Sequence, residues 1–322
     1  MSEDTLTVLG HTDLISEFGG DLRYLTVPQP KAQITMAGLK SLRPLVVWAS
    51  LCPYHYQDGS DRPYSPGETW QQWLHFRETI EASPSFRLLL PSETIDPDET
   101  ERIQLLLHLE GAHPLETPAA LEQFVAFGGR AVALTWNTAN HYAGGAMSDS
   151  HLTELGKELL GEMERLGVML DISHLNEASF WQVLEVYRGP IFASHSNARE
   201  LADSPRNLTK RQLHALRERA SWVGVSFARS HLTTHSRSTM DDVLLHLEAL
   251  REDVGMAGVG LGTDFGGILS DLPTGLETVG DLAQLWPALE KNGWSATELV
   301  AIRGQNFVDF LGRSMKPLVS SS

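Results

Sequence analysis

Short apolar runs alternate with longer stretches of helical periodicity along most of the chain, the pattern of repeated βα units around a parallel sheet. Eight runs read as strands: Thr5 to Gly10, Pro44 to Ser50, Ile103 to Glu110, Ala131 to Trp136, Gly167 to Ser173, Pro190 to Ser194, Trp222 to Phe227 and Ala257 to Thr263. Between them, Leu155, Leu159, Leu160, Met163 and Leu166 recur at helical spacing over Leu152 to Leu166, with charges opposite, and Gly167 ends that helix. Further helices are expected near 118–128, 177–188, 208–220, 240–252, 280–291 and 296–312. Eight strands with intervening helices predict an α/β fold, a (β/α)8 TIM barrel. Residues 53–67 carry three prolines, two glycines and three tyrosines, so a long irregular loop is expected over one barrel mouth, a candidate lid. No linker, internal repeat or low-complexity tract divides the chain. Residues 1–322 therefore read as one domain with a short frayed tail at Ser320 to Ser322.

Composition narrows the function. The 42% hydrophobic and 20% charged fractions are those of a globular chain, and no apolar run approaches the ~20 residues of a membrane helix. The start, Met1-Ser2-Glu3-Asp4, is acidic and lacks the basic and long apolar regions of a signal peptide, so a cytoplasmic location is expected, with no membrane partner. Cys52 is the single cysteine, which excludes an internal disulfide and a thiolate cluster. Any metal is then held by histidines and carboxylates. The net charge of −16 repels phosphate backbones and no local basic patch offsets it, so nucleic acid is excluded as an expected partner. Spread over outer helices, the same charge acts as a solubility device.

In a (β/α)8 barrel the reacting groups sit at the carboxyl ends of the strands, so what each strand presents there is informative. Five of the eight end in metal-ligand residue types. The first runs into His11-Thr12-Asp13, where residues two apart in an extended segment face the same side. The third ends at Glu110, the fifth at His174, the sixth at His195 and the eighth at Asp264. Histidines and carboxylates converging without thiolates suit borderline ions such as zinc. Each residue alone has a plainer alternative: Glu110 as a helix cap, Asp264 as the N-cap of a turn, Arg206 as a surface arginine, either strand-end histidine as a hydrogen-bonded structural group. The coincidence at five strand ends favours the metal. The other ten histidines, among them His55, His75, His108, His151, His214 and His246, show no comparable placement and read as surface or core residues.

Seven short motifs then occur in one order: Gly10-His11-Thr12-Asp13-Leu14, Glu110-Gly111-Ala112-His113, Leu134-Thr135-Trp136-Asn137, Asp171-Ile172-Ser173-His174, Ser194-His195-Ser196-Asn197-Ala198, Arg206-Asn207-Leu208 and Gly262-Thr263-Asp264-Phe265. From about residue 8 to about residue 312 the chain resembles the membrane dipeptidase (renal dipeptidase) family, peptidase family M19, within the amidohydrolase superfamily. The resemblance implies two Zn2+ per chain, with His11 and Asp13 on one ion, His174 and His195 on the other, and Glu110 bridging. It makes Asp264 the proton-transferring carboxylate and Arg206 the clamp on a substrate's terminal carboxylate, a task suited to a planar guanidinium. It implies a zinc-dependent dipeptidase acting on short peptides with a free C-terminal carboxylate, L-Xaa-D-Xaa included, by a hydroxide shared between the ions. A homodimer is also a family-level implication.

Two positions depart from the pattern. Trp136 stands where the family's well-studied members carry a histidine that contacts the substrate, and two readings of it stand side by side: packing in the mouth, or forming an apolar wall. His141, in the loop Asn140-His141-Tyr142-Ala143-Gly144-Gly145, is the substitute donor on one reading and solvent-exposed on the other. Gly266 stands where the family commonly has a second aspartate, which is expected to alter substrate range rather than the metal core. These departures keep open an amidohydrolase of N-acyl amino acids or another amide or lactone. A metal-retaining homologue without turnover is a further alternative.

Overall fold

The computed structural model describes residues 5–27, 32–56, 59–268 and 271–314. Nine parallel strands are present: β1 (Thr7–Thr12), β2 (Leu45–Leu51), β3 (Phe86–Leu88), β4 (Ile103–Glu110), β5 (Gly129–Ala133), β6 (Met169–Asp171), β7 (Ile191–Ala193), β8 (Trp222–Ser226) and β9 (Val259–Phe265). Hydrogen bonding runs in the order β2-β1-β9-β8-β7-β6-β5-β4, and β2 pairs with β4 to close the ring. The result is a barrel of eight parallel strands, the (β/α)8 architecture. The ninth, β3, lies outside the ring. It pairs with Ile103 to Leu105 of β4 and leaves Leu107 to Glu110 for β5.

Two apolar layers hold the barrel. Outward-facing residues such as Val47, Leu105, Leu107, Leu170 and Val225 pack under the surrounding helices. Alternate residues face inward, where Val8, Val46, Trp48, Leu106, Met169, Phe192 and Trp222 form a separate interior cluster. Phe307, Phe310 and Leu311 of the helix Asn306–Ser314 join that cluster. Glycine makes Trp222 possible, because a Cβ on Gly10 or Gly260 would come within 2.1 or 2.3 Å of its ring. Above this floor the interior turns polar, with His11, Ser50, His108, Asp171 and Ser194 all buried.

The strands lie within a few residues of their expected positions. β6 and β7 are cut to three residues each, because Ser173 and Ser194 already leave the ladder. The stretch expected as helix 296–312 is interrupted by a π-helical turn at Ala301–Gln305. The helix Pro66–Glu81 was absent from the expectations although its start is written in the chain: Ser65 caps it, Pro66 opens it and Glu68 completes a capping box. The irregular loop thus ends at Ser65, two residues earlier than expected. Ser320 to Ser322 lie outside the described residues.

Candidate metal centre

The ligand-type side chains reach one point by different local routes. His11 lies inside β1 rather than past its end, where the pairing with β2 and β9 slips register. That irregularity lets His11 and Asp13 converge, with Nε2 of the first 3.4 Å from Oδ2 of the second. Glu110 ends β4 on its inward face. His174 and Asp264 both hold left-handed backbone angles, φ 67° and 73°, conformations that cost of order 1–3 kcal/mol each in non-glycine residues. The bend at His174 is pinned by Ala146 N–H and the Thr135 hydroxyl, both donating to its carbonyl. His195 follows β7 by two residues and stacks on His11 with ring centroids 3.9 Å apart.

Glu110 Oε1 lies 2.7 Å from His174 Nε2, 3.3 Å from His195 Nε2 and 3.6 Å from His11 Nε2. The Nε2 atoms of His174 and His195 face each other at 3.0 Å. Asn137 Oδ1 accepts from His174 Nδ1 at 2.8 Å, which leaves the His174 Nε2 as a bare acceptor. His11 Nε2 is buried and has no hydrogen-bond partner. Acceptors thus crowd together with too few protons to share, at nitrogen and oxygen donors and without sulfur. That arrangement fits a divalent cation. His11, Glu110 and His195 form one group able to hold an ion, and His11, Asp13 and Asp264 another.

Electrostatics sharpens the picture. Burial pushes His195 well below its ordinary value and takes His174 down to about 4, with the Arg206 charge adding to both effects. Both rings stay neutral and able to ligate. Burial also pulls on His11, but Glu110 and Asp13 outweigh it and hold the ring well above its ordinary value, so without a cation its Nε2 takes up a proton that a bound ion would displace. Glu110 resists the upward pull of burial because His11 and His174 hold it well below the usual carboxylate range. Asp264 goes the other way: burial raises it, and the Asp13 and Glu110 charges add to that. Two carboxyl groups in one site therefore differ sharply in proton affinity.

A cavity of about 470 Å³ opens over the cluster, lined by Asp13, Glu110, His174, Asp264 and Arg206 on its polar side and by Tyr56, Trp136, Met147 and Ile268 on its apolar side. Arg206 is buried, donates from Nη2 to His195 Nε2 at 3.0 Å, and makes no ion pair with a carboxylate among the described residues. Burial takes its guanidinium down to about 10, still charged at neutral pH. Trp136 both packs and lines: its ring stacks on Tyr54 at 4.9 Å and forms part of the cavity wall. Tyr56, from the irregular loop, donates its hydroxyl to Asp13 Oδ1 at 3.3 Å.

Of the two readings of His141, the structure shows the exposed one. The residue lies outside the cavity lining and so does not replace the donor missing at Trp136. Its loop is fixed by Asn140, which donates to Leu134 O and accepts from Tyr142 N, turning the ring away. Gly266 has a φ of +87°, a backbone conformation strained for any side chain, and a Cβ there would crowd Asp13 Cβ at 3.3 Å and require Glu17 Oε2 to move. His108 is a core residue, as expected, with more around it than apolar packing. It is buried beneath the cluster within 3.3 Å of Asp171. The signal was present, since His108 shares the inward face of β4 with Glu110 two residues on. Ser50, Asp171 and Ser194 were likewise missed, having no motif of their own.

Gly267 is as constrained as the ligands. A Cβ on it would lie 2.3 Å from Asp13 Oδ2 and 2.7 Å from Asp264 Oδ1. Gly267→Ala should therefore weaken metal binding by about 10–100-fold, the range for disturbing a ligand's support, while the barrel still unfolds cooperatively. Calorimetric metal titration beside a thermal melt reads both quantities.

The fold is a closed (β/α)8 barrel with histidines and carboxylates gathered at its carboxyl mouth. The model of the membrane dipeptidase family (Peptidase family M19) matches residues 2–315, and the chain belongs to that family. It is 31% identical over 257 residues to an uncharacterized protein in the pqqA 5′ region of Klebsiella pneumoniae, covering 75% of this chain and 94% of that protein. It is 29% identical over 241 residues to dipeptidase 3 of Rattus norvegicus, covering 72% of this chain but only 49% of that protein, so it spans about half the rat protein's length. Among solved structures, a metallo peptidase from Rhodobacter sphaeroides liganded with a phosphinate mimic of the dipeptide L-Ala-D-Ala superposes with a TM-score of 0.86 at 24% identity, over 96% of this chain and 99% of that one. The probable dipeptidase PvdM from Pseudomonas aeruginosa gives 0.82 at 18% identity, over 97% and 96%. At these identities the two structures speak for the fold. No helix among the described residues is long and apolar enough to cross a membrane.

Proposed function

We propose that this chain is a zinc-dependent dipeptidase that hydrolyses short peptides with a free C-terminal carboxylate, L-Xaa-D-Xaa among them. The observation that carries the reading is the pairing of proton-poor acceptors at His174, His195, Glu110 and His11 with a buried Arg206 lacking a carboxylate partner across the same cavity. His11 and Asp13 would hold one ion, His174 and His195 the other, with Glu110 between. Such a pair supplies Lewis-acid polarisation of a carbonyl and a water acidic enough to attack at neutral pH.

The chain's own groups do the rest. Arg206 binds the substrate carboxylate with its planar fork and fixes the scissile bond over the cluster. Asp264, whose buried surroundings raise its proton affinity, takes the proton from the attacking water as the ionised carboxylate and delivers it to the leaving amine, a role that typically contributes ~10²–10⁴-fold. Trp136, Tyr56 and Ile268 exclude water from the apolar side. The same apolar wall favours a second reading, hydrolysis of an N-acyl amino acid, because Tyr56, Trp136, Met147 and Ile268 offer no carboxylate to accept from a charged amine.

The test is hydrolysis of L-L and L-D dipeptides beside matched N-acyl amino acids by zinc-reconstituted protein. Dipeptide cleavage should vanish with chelator and return with zinc. Cleavage of N-acyl amino acids alone would select the second reading, and zinc bound without turnover of any of them would reject both.

A further inference from the structure

Below the metal-facing atoms of His11 and His195 lies a chain of buried polar groups to which nothing above assigns a role. Ser194 sits at its centre. Its hydroxyl donates to Asp171 Oδ2 at 2.5 Å. Its oxygen also stands 2.7 Å from His195 Nδ1 and 3.1 Å from His11 Nδ1. A serine hydroxyl has one proton and two lone pairs. With the proton given to Asp171, Ser194 can only accept, and its two ring neighbours lie closer than the remaining one, Ser173 Oγ at 3.3 Å, so both rings carry their proton on Nδ1.

We propose that Asp171, acting through Ser194, is the positioning residue that sets the tautomer of both His11 and His195, leaving both Nε2 lone pairs turned to the metal cavity. One carboxylate thereby prepares a ligand for each ion of the pair, resting on the ligand roles proposed above.

Three further observations agree on where the protons lie. Asp171 is held in place as an acceptor, since Oδ1 takes the backbone N–H of Ser173 and of Ser194, each at 2.9 Å. Arg206 Nη2 donates to His195 Nε2 at 3.0 Å, which requires that nitrogen to be unprotonated. On the far side, Ser50 Oγ lies 3.2 Å from His11 Nδ1 and 2.9 Å from His108 Nδ1. Ser50 accepts from His11 and donates to His108, which puts the His108 proton on Nε2, 3.3 Å from Asp171 Oδ2. The chain Asp171, Ser194, His11, Ser50, His108 is continuous, with the one His11 Nδ1–H shared between Ser194 and Ser50 and with His108 Nε2 facing Asp171 Oδ2 without a hydrogen bond of its own. It needs a single negative charge, on Asp171, to run in that direction. The supporting groups of a metal ligand commonly fix its ring in this way.

The proposal makes an unusual demand of Asp171→Asn. The amide oxygen must face the two backbone N–H groups, so its NH2 faces Ser194 and becomes a donor. The Ser194 proton then turns toward His195 Nδ1 and moves that ring's own proton to Nε2, where it blocks the metal. We expect 15N-histidine spectra of the metal-free variant to show His195 in the Nε2–H form, against Nδ1–H in the parent. Zinc affinity, read by competition with a chromophoric chelator, should fall about 10–100-fold. Ser194→Ala should lose affinity similarly, and Ser194→Thr, which keeps the hydroxyl, should regain it. A folded Asp171→Asn protein with the parent's tautomer and zinc affinity overturns the proposal. Should that variant not fold, equal zinc affinity in Ser194→Ala, Ser194→Thr and parent overturns it instead. Failure of the metal reading is separate, because a parent that binds no zinc still reports its His195 tautomer.

Discussion

Replacing Glu110 with glutamine should leave a folded barrel that no longer holds a metal pair, with dipeptide hydrolysis lower by at least about 10³-fold, the several kcal/mol that metal activation supplies. The reason lies in what glutamine offers to the atoms around it. Oε1 of Glu110 faces three imidazole nitrogens within 3.6 Å, and all three act as acceptors when a cation is present. An amide NH2 in that place donates to His174 Nε2 and satisfies the ring without a metal. It also removes the charge that offsets two divalent ions. The side chain stays isosteric, but the charge it loses is one that His11 and His174 stabilise in the metal-free protein, so the metal-free melting temperature should fall while the barrel still folds. Metal content by elemental analysis, a thermal melt and a dipeptide assay together decide the matter. A variant that retains two ions and turns over would show that Glu110 does not bridge.

Arg206→Ala should act on the substrate instead. Truncating one partner of a buried, hydrogen-bonded charge pair costs about 2–5 kcal/mol, so KM for dipeptides should rise by roughly 30-fold or more with kcat affected far less. Metal content should hold, and zinc affinity should if anything increase, because the Arg206 charge lowers the proton affinity of both His174 and His195 and opposes a cation there in the same way. Arg206→Lys should recover little, since an ammonium cannot present a planar two-pronged donor. Parallel loss of zinc and activity in Arg206→Ala would make the residue a support for His195 rather than a substrate clamp.

The barrel was legible because its strands and helices differ in period, and Leu159, Leu160 and Met163 repeat as a helix must while the strand runs do not. Element ends were less so. β6 stops at Asp171 because the Asp171 carboxylate captures the N–H groups of Ser173 and Ser194, a long-range event that no local propensity encodes. The strand-end logic singled out His11, Asp13, Glu110, His174, His195 and Asp264, and the fold brings all six together, four of them lining the cavity and His11 and His195 packed beneath. It passed over His108, because a histidine in an apolar run looks the same whether its ring meets core or a carboxylate.

The sequence by itself determined the kind of site available: a barrel with nitrogen and oxygen donors at its mouth, one cysteine, and an arginine in reach. Those properties follow from residue type and period, which are local. Tertiary structure alone decided how protons are shared, which face of Trp136 is used and that His141 points away. Each depends on atoms far apart in the chain meeting within about 3 Å, where hydrogen-bond geometry is settled by direction as well as by identity.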